Sequence, residues 1–177
     1  MDNIEVEVRS FVDETKYREL LAFFERNGKL IKHDNQETWY FDAPKDLRLQ
    51  KGSASAKVWL KEGRIYDDAR EEVEIKFGKD DFERMAALFA SLGYGVKIKW
   101  FRDRRQFDWD GIKVCLDSTK GYGFIVELER LTSPERKETE LKLLRAKLAE
   151  LDVAPTPKEE FEKRFEHYSK NWRKLVK

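Results

Sequence analysis

The feature that most constrains this chain is the placement of its charges at every second position. Between Ile4 and Val12, Glu5, Glu7 and Arg9 alternate with Ile4, Val6 and Val8. A strand turns successive side chains to opposite faces, so such a segment is charged on one face and apolar on the other. Arg70 to Phe77 repeats the pattern, with Glu72, Glu74 and Lys76 opposite Val73 and Ile75, and Ala54 to Lys61 places Lys57 and Lys61 on one side. The sets are sorted by sign. Glu5/Glu7, Glu72/Glu74 and Glu127/Glu129 are acidic, whereas Lys57/Lys61 and Arg102/Arg104 are basic. Like charges neighbouring on a strand face repel, and a face built for solubility alone would mix them. A solvated face above an apolar core accounts for any one strand. The sorting across strands predicts a closed barrel, charged inside, with four helices packed over its apolar outside.

The remaining segments fit that plan. Asp13 starts a helix carrying Tyr17, Leu20, Leu21 and Phe24 on one face, and Gly28 stops it. Leu30 to Asp42 reads as a long strand broken by Pro44 and the polar residues after it. Gly63 makes a turn. A helix from about Asp81 to Leu92 turns Phe82, Met85, Phe89 and Leu92 inwards and ends at Gly93. Strands follow near Val96–Phe107, Ile112–Asp117 and Phe124–Leu131. Ser133-Pro134 is a helix start, followed by a stripe of Leu141, Leu144, Leu148 and Leu151. Thr156 and Glu159 have capping-box spacing, and Phe161, Phe165, Tyr168, Trp172 and Leu175 stripe a last helix that reads as docking on the core. Glu5-Val6-Glu7-Val8-Arg9 resembles Glu72-Val73-Glu74-Ile75-Lys76, and each precedes a helix stopped by glycine, which suggests two similar halves.

The chain's 177 residues suit a single domain over 1–177, with a core at 3–131 and a helical extension at 133–177. Lys and Arg number 36 against 35 Asp and Glu, a net charge of +1 that argues against a generic nucleic-acid binder. Charged residues make up 40% of the chain, against about a quarter ordinarily. With few Asn, Gln, Met and Cys, that leans towards a thermophilic source. A single cysteine, Cys115, excludes an internal disulfide and a cysteine-based zinc site. No signal-like or membrane-spanning run is present, so a cytoplasmic protein with no membrane partner is expected.

A barrel lined with both signs of charge needs a ligand that uses both. Carboxylate clusters bind hard divalent cations through oxygen, and Arg and Lys clusters bind phosphate oxygens. A polyphosphate accompanied by Mg²⁺ or Mn²⁺ meets both conditions. No Gly-rich loop with Gly-Lys-Ser/Thr is present, so phosphate would be held without that device.

The chain resembles the CYTH domain family, the triphosphate tunnel metalloenzymes named for class IV adenylyl cyclases and thiamine triphosphatases. Glu5-Val6-Glu7-Val8-Arg9 is close to the family's Glu-x-Glu-x-Lys, and Tyr40-Phe41-Asp42-Ala43-Pro44 to its Tyr-Phe-Asp-Thr-Pro. Ala56-Lys57-Val58-Trp59 stands where the family has Leu-Arg-Ile-Arg, and Arg102-Asp103-Arg104 looks like its Lys-x-Arg. Val114 to Asp117 and Gly121 to Glu129 match its Leu-Asp and Gly-Leu-Gly-x-Phe-x-Glu-Ile-Glu ending. The resemblance implies an α+β fold, a closed antiparallel β-barrel or tunnel of about eight strands with a charged lumen and helices packed outside. It implies metal ligands at Glu5, Glu7, Glu127 and Glu129, with Asp117 a ligand or its support. It implies triphosphate contacts at Arg9, Lys57, Arg102 and Arg104. Lys61, Lys76, Glu72 and Glu74 would line the tunnel, with Arg48 a weaker candidate; Lys61 and Lys76 would add phosphate contacts. Glu5, Glu7, Arg9, Arg102 and Arg104 are the expected catalytic set.

Three positions depart from the family pattern. Arg9 replaces Lys and cannot serve as a base, since guanidinium keeps its proton. Trp59 replaces an arginine, so Lys61 supplies the missing charge or one phosphate contact is lost. Ala43 lacks the hydroxyl of Thr. His33 and His167 show no ligand spacing, Cys115 reads as an inert thiol and Asp42 as a turn former.

Three functions follow in order. The first is metal-dependent hydrolysis of tripolyphosphate, a nucleoside triphosphate or thiamine triphosphate. The second is a class IV adenylyl cyclase making cyclic AMP and pyrophosphate, for which no adenine-reading set stands out. The third is a non-catalytic module binding polyphosphate or an RNA triphosphate end. The oligomeric state, monomer or homodimer, is open.

Overall fold

Charge alternation becomes real strand geometry in the computed structural model, which describes residues 4–61 and 72–177, with Lys61 and Glu72 described only through their backbone. The strands are β1 (Ile4–Val12), β2 (Lys29–Phe41), β3 (Asp46–Lys51), β4 (Ala56–Lys61), β5 (Glu72–Phe77), β6 (Val96–Trp109), β7 (Ile112–Thr119) and β8 (Gly123–Thr132). The helices are α1 (Glu14–Asn27), α2 (Phe82–Ser91), α3 (Lys137–Glu150) and α4 (Lys158–Leu175). The strands form one eight-stranded sheet in the order β1-β8-β7-β6-β2-β3-β4-β5, with antiparallel pairing. Gly63 and Arg70, read as a turn and a strand start, lie outside the described residues. No helix among the described residues is long and apolar enough to cross a membrane.

The chain divides into two compact units. One holds residues 1–33, 103–119 and 123–161; the other holds 34–102, 120–122 and 162–177. In the first, the register sets Glu7 opposite Glu129, Arg9 opposite Glu127 and Cys115 opposite Glu127, so these share one face. The opposite face supplies Val6, Val8, Val114, Leu116, Val126 and Leu128 to a core with Tyr17, Leu20 and Phe24 of α1 and Leu144 and Leu148 of α3. Each large apolar side chain buried there contributes about 1.5–3 kcal/mol. Asp13 caps α1, its Oδ1 accepting from the Lys16 N–H at 2.8 Å. Gly28 ends that helix in an extended conformation, not a left-handed turn. A Cβ there would meet Phe24 O at 3.1 Å and Phe107 Cβ at 3.3 Å, so glycine serves the close approach to β6.

In the second unit, the register sets Tyr40, Arg48, Trp59 and Glu74 side by side across β2–β5, with Thr38, Gln50, Lys57 and Lys76 in the next row. The other face packs Phe41, Leu49 and Ala56 against Phe82, Ala86 and Phe89 of α2. Here four expectations are corrected. Asp46–Lys51, read as polar breaking sequence, is a strand, because pairing with β2 and β4 satisfies its backbone whatever its propensity. Leu92 points outwards at 61% exposure, since α2 stops at Ser91 and Ala86 takes the inward position. Val73 and Ile75 also stay exposed, so the helix cover stops short of β5, the last strand in the sheet order. Finally, α3 begins after a 3-10 turn, Pro134–Arg136, without a capping bond from Ser133.

The larger correction concerns the helices. α1 and α3 lie on the apolar face of the first unit and α2 on that of the second, as expected, but α4 does not. Its Phe165, Tyr168, Trp172 and Leu175 pack with Ile98, Trp100, Tyr40 and Tyr122. Ile98 and Trp100 lie on β6 in the parity of Arg102, and Tyr40 in that of Gln36, whose side chain meets Arg102. The aromatic stripe of α4 therefore covers part of the charge-bearing face. Tyr168 Oη donates to Lys99 O at 2.8 Å and Trp172 Nε1 to Lys97 O at 2.9 Å. In the first unit, Phe161 stacks on Phe11 with centroids 4.5 Å apart, again on the face of Glu5, Glu7 and Arg9. Thr156, read as a helix cap, spends its hydroxyl on β1: it accepts from the Phe11 N–H at 2.9 Å and pairs with Ser10 Oγ at 2.8 Å.

Tyr168→Ala should cost about 3–5 kcal/mol, through the lost ring and the orphaned carbonyl, whereas Tyr168→Phe should cost about 1 kcal/mol. Urea titration would show it as a lower midpoint at unchanged slope.

Candidate functional site

The charged face of the first unit gathers the acidic residues. β1 presents Glu5 and Glu7, β8 presents Glu127 and Glu129, and one oxygen each from Glu5, Glu7 and Glu129 lie within 4.8 Å of one another. Alternation along each strand and the Glu7–Glu129 pairing produce this convergence. Glu127 and Glu129 are buried, at 9% and 4% exposure, while Glu7 keeps 41% of its side chain open. Glu7 nonetheless has protein crowded around it, so its charge is poorly hydrated. This desolvation, then Glu127, raises its pKa, and Arg9 pulls it back only in part.

Cations are threaded between the carboxylates. Arg104 Nε and Nη2 donate to the two oxygens of Asp117 at 2.7 and 2.6 Å, and Nη2 lies 3.6 Å from Glu127. Burial alone would favour loss of its proton, but Glu127 and Asp117 outweigh it and hold the guanidinium charged, above its ordinary range. Asp117 thus orients Arg104 as a two-point clamp. Arg9 lies 3.6 Å from Glu7 and 4.7 Å over the ring of Phe161. Lys113 pairs with Glu129. Cys115 is fully buried beside Glu127, with Gln106 Nε2 3.6 Å from its sulfur, and burial pushes its pKa up to about 11, so at neutral pH it is an unreactive thiol.

In the second unit the cations are held by neighbours. Lys57 Nζ donates to Glu74 at 2.7 Å and lies 4.4 Å over Trp59; Lys76 reaches Glu74 at 3.5 Å and is exposed. The bond from Lys57 holds the Glu74 carboxyl below its ordinary value despite some opposing desolvation. Arg102 Nε and Nη2 both donate to Gln36 Oε1, at 2.9 and 2.6 Å. Arg48 makes a two-point pair with Asp46 at 2.7 and 2.6 Å and lies 4.4 Å over Tyr40. Lys61 and Glu72 are opposite in register, their side chains outside the described residues.

The first unit therefore brings Glu5, Glu7, Arg9, Arg104, Asp117, Glu127 and Glu129 onto one face. The second does the same for Lys57, Lys76, Arg48 and Arg102. Sequence reading missed Gln36, Asp46 and Phe161 as partners of these groups. Gln36 alternates with Asp34 and Thr38 in a recognisable polar file, and Asp46 precedes Arg48 by two, but Phe161 reaches Arg9 only through tertiary packing. His33 forms a surface pair with Asp103 at 2.6 Å, and His167 is exposed on α4. Asp42 is exposed at the end of β2, where its N–H donates to Gly95 O.

The donor set fits a hard divalent cation. Glu5, Glu7 and Glu129 offer oxygens only, the ligand atoms that such a cation prefers.

Two outcomes follow. Arg104→Ala removes the guanidinium that Asp117 and Glu127 share in a buried setting and should destabilise the fold by about 3–5 kcal/mol. Because the pKa of Glu7 is raised, its favourable contribution is complete below the ordinary value of 4.5 and is lost as pH rises through the folded value. Glu7→Gln should therefore raise the melting temperature at pH 7, and thermal scans at decreasing pH should show the gain disappearing near pH 4.

Comparison with known proteins bears on the family and the fold. A putative adenylate cyclase of Methanocaldococcus jannaschii is 27% identical over 140 residues, covering 73% of this chain and 78% of its own. The PH1012 protein of Pyrococcus horikoshii superposes with a TM-score of 0.70 at 22% identity, over 88% of this chain and 96% of that one. A putative adenylate cyclase of Vibrio parahaemolyticus gives 0.68 at 16% identity, over 89% and 95%. These two structural likenesses concern the fold. The model of the CYTH domain matches residues 3–165, which take in every strand and the first turns of α4, and the chain belongs to that family.

Proposed function

We propose that this protein hydrolyses a triphosphate compound with the help of a divalent cation, Mg²⁺ or Mn²⁺, in a tunnel formed by closure of its sheet. The observation that carries the reading is the convergence of Glu5, Glu7 and Glu129 beside the fixed guanidinium of Arg104. Membership of the CYTH family, and the charge at every second position of most of the strands, support it.

A divalent cation held by Glu5, Glu7 and Glu129, with Glu127 beside them, would offset phosphate charge and lower the pKa of a bound water. The chain's own residues supply the rest. Arg104 meets the phosphate chain with its position already set by Asp117, so little ordering remains to be done when substrate arrives. Its guanidinium carries five N–H donors, more than Asp117 and Glu127 engage. Arg9 offers a permanent positive charge at the edge of the carboxylate group and takes no part in proton transfer. Lys57, Lys61, Lys76 and Arg102 are the further phosphate contacts, stabilising the charge that spreads over the transferred group.

A second reading is favoured by the names of two relatives, both putative adenylate cyclases. There the ribose 3′-OH would attack the α-phosphorus and pyrophosphate would leave. The two reactions differ in products, so one assay separates them. Incubation with tripolyphosphate, ATP and thiamine triphosphate in Mg²⁺ or Mn²⁺ should release orthophosphate, and Glu5→Ala/Glu7→Ala should reduce release to background while the protein stays folded. Cyclic AMP with pyrophosphate would establish the cyclase instead.

A further inference from the structure

Trp59 has a hydrogen-bond donor that packing does not explain. The residue is 6% exposed, and its Nε1 is buried with no hydrogen-bond partner. Buried indole N–H groups ordinarily find an acceptor. Two other tryptophans of this chain do so, Trp39 on Glu37 Oε1 at 2.6 Å and Trp172 on Lys97 O at 2.9 Å. The ring of Trp59 is occupied from other directions, with Lys57 Nζ 4.4 Å and the Arg48 guanidinium 5.9 Å from its centroid. These contacts need an aromatic face and would be kept by phenylalanine. The N–H is surplus to them.

Its surroundings define the chemistry of the missing acceptor. Trp59 stands between Arg48 and Glu74 across the sheet, on the face that carries Lys57. Arg48 is matched by Asp46 and Lys57 by Glu74, so the cations here are balanced within the protein. An oxyanion drawn to Lys57 would compete with Glu74 for an ammonium that lies 4.4 Å from the centroid of the Trp59 ring, and so would come within reach of the indole. We propose that Trp59 Nε1–H donates to an oxygen of the bound phosphate chain, as a neutral contact where the family pattern has a charged one. This rests on the triphosphate reading and deepens it. A neutral donor recognises phosphate without adding charge, so its contribution does not depend on ionic strength as that of Lys57 does.

Inorganic tripolyphosphate, without metal, is the probe. The five tryptophans of the full chain give five indole N–H resonances, assigned by triple-resonance spectra of the wild type. Titration should move the Trp59 resonance downfield. By calorimetry, Trp59→Phe should bind roughly tenfold or more weakly, by the same factor at low and high salt, whereas the loss for Lys57→Ala should shrink as salt rises. Its melting temperature should equal or exceed that of the wild type, since an unpaired buried donor has been removed; a merely structural tryptophan would show the reverse. Binding that leaves the Trp59 resonance unmoved, or Trp59→Phe binding like the wild type, overturns this inference and spares the triphosphate reading. Failure of the wild type to bind tripolyphosphate with or without Mg²⁺ overturns both.

Discussion

Each strand of this protein must put its charged side somewhere, and the cost of taking those charges out of water governs the rest of the structure. The solution is internal pairing: Arg104 with Asp117 and Glu127, Arg48 with Asp46, Lys57 with Glu74. Such pairs hold geometry more than they add net stability, because desolvation cancels much of their attraction. Stability comes from the opposite face, where Val114, Leu116, Val126 and Leu128 pack under α1 and α3, and Phe41, Leu49 and Ala56 under α2. The apolar face holds the charged face in place, and the charged face is free to be shaped for a ligand.

The pairing is uneven, and the unevenness is where function enters. Cations of the second unit meet acidic or amide partners: Arg48 and Lys57 take a carboxylate, and Arg102 takes Gln36. In the first unit Glu5, Glu7 and Glu129 converge, and burial, with Glu127 beside it, raises the proton affinity of Glu7. That convergence, beside an Arg104 held by Asp117, is the arrangement on which the proposed cation and triphosphate site rests.

α4 shows how one strand face can serve two purposes. Along β6, Ile98 and Trp100 precede Arg102 in the same parity, so this face runs from apolar to charged within a few residues. An amphipathic helix can seal the first stretch and leave the second. Its Tyr168 and Trp172 also satisfy two β6 carbonyls, which makes the packing directional as well as hydrophobic. The aromatic stripe announced a docking helix, but nothing in the stripe says which side of a sheet it will choose.

The sequence by itself determined most of the strands, their charged and apolar faces, and the family, because a period of two needs only local sterics to become geometry. It also named most of the charged residues that the faces collect. Tertiary structure alone decided the rest. β3 exists because β2 and β4 flank it, although Pro44 and a polar composition argued for a loop. Leu92 faces out because α2 ends one residue earlier, and α4 lies on the charged face because Tyr40, Trp100 and Tyr122 offer it a partner there. The partnership of Arg104 with Asp117, and the solitary N–H of Trp59, depend on which strands lie side by side, and pairing between distant segments is a long-range choice that local periodicity cannot encode.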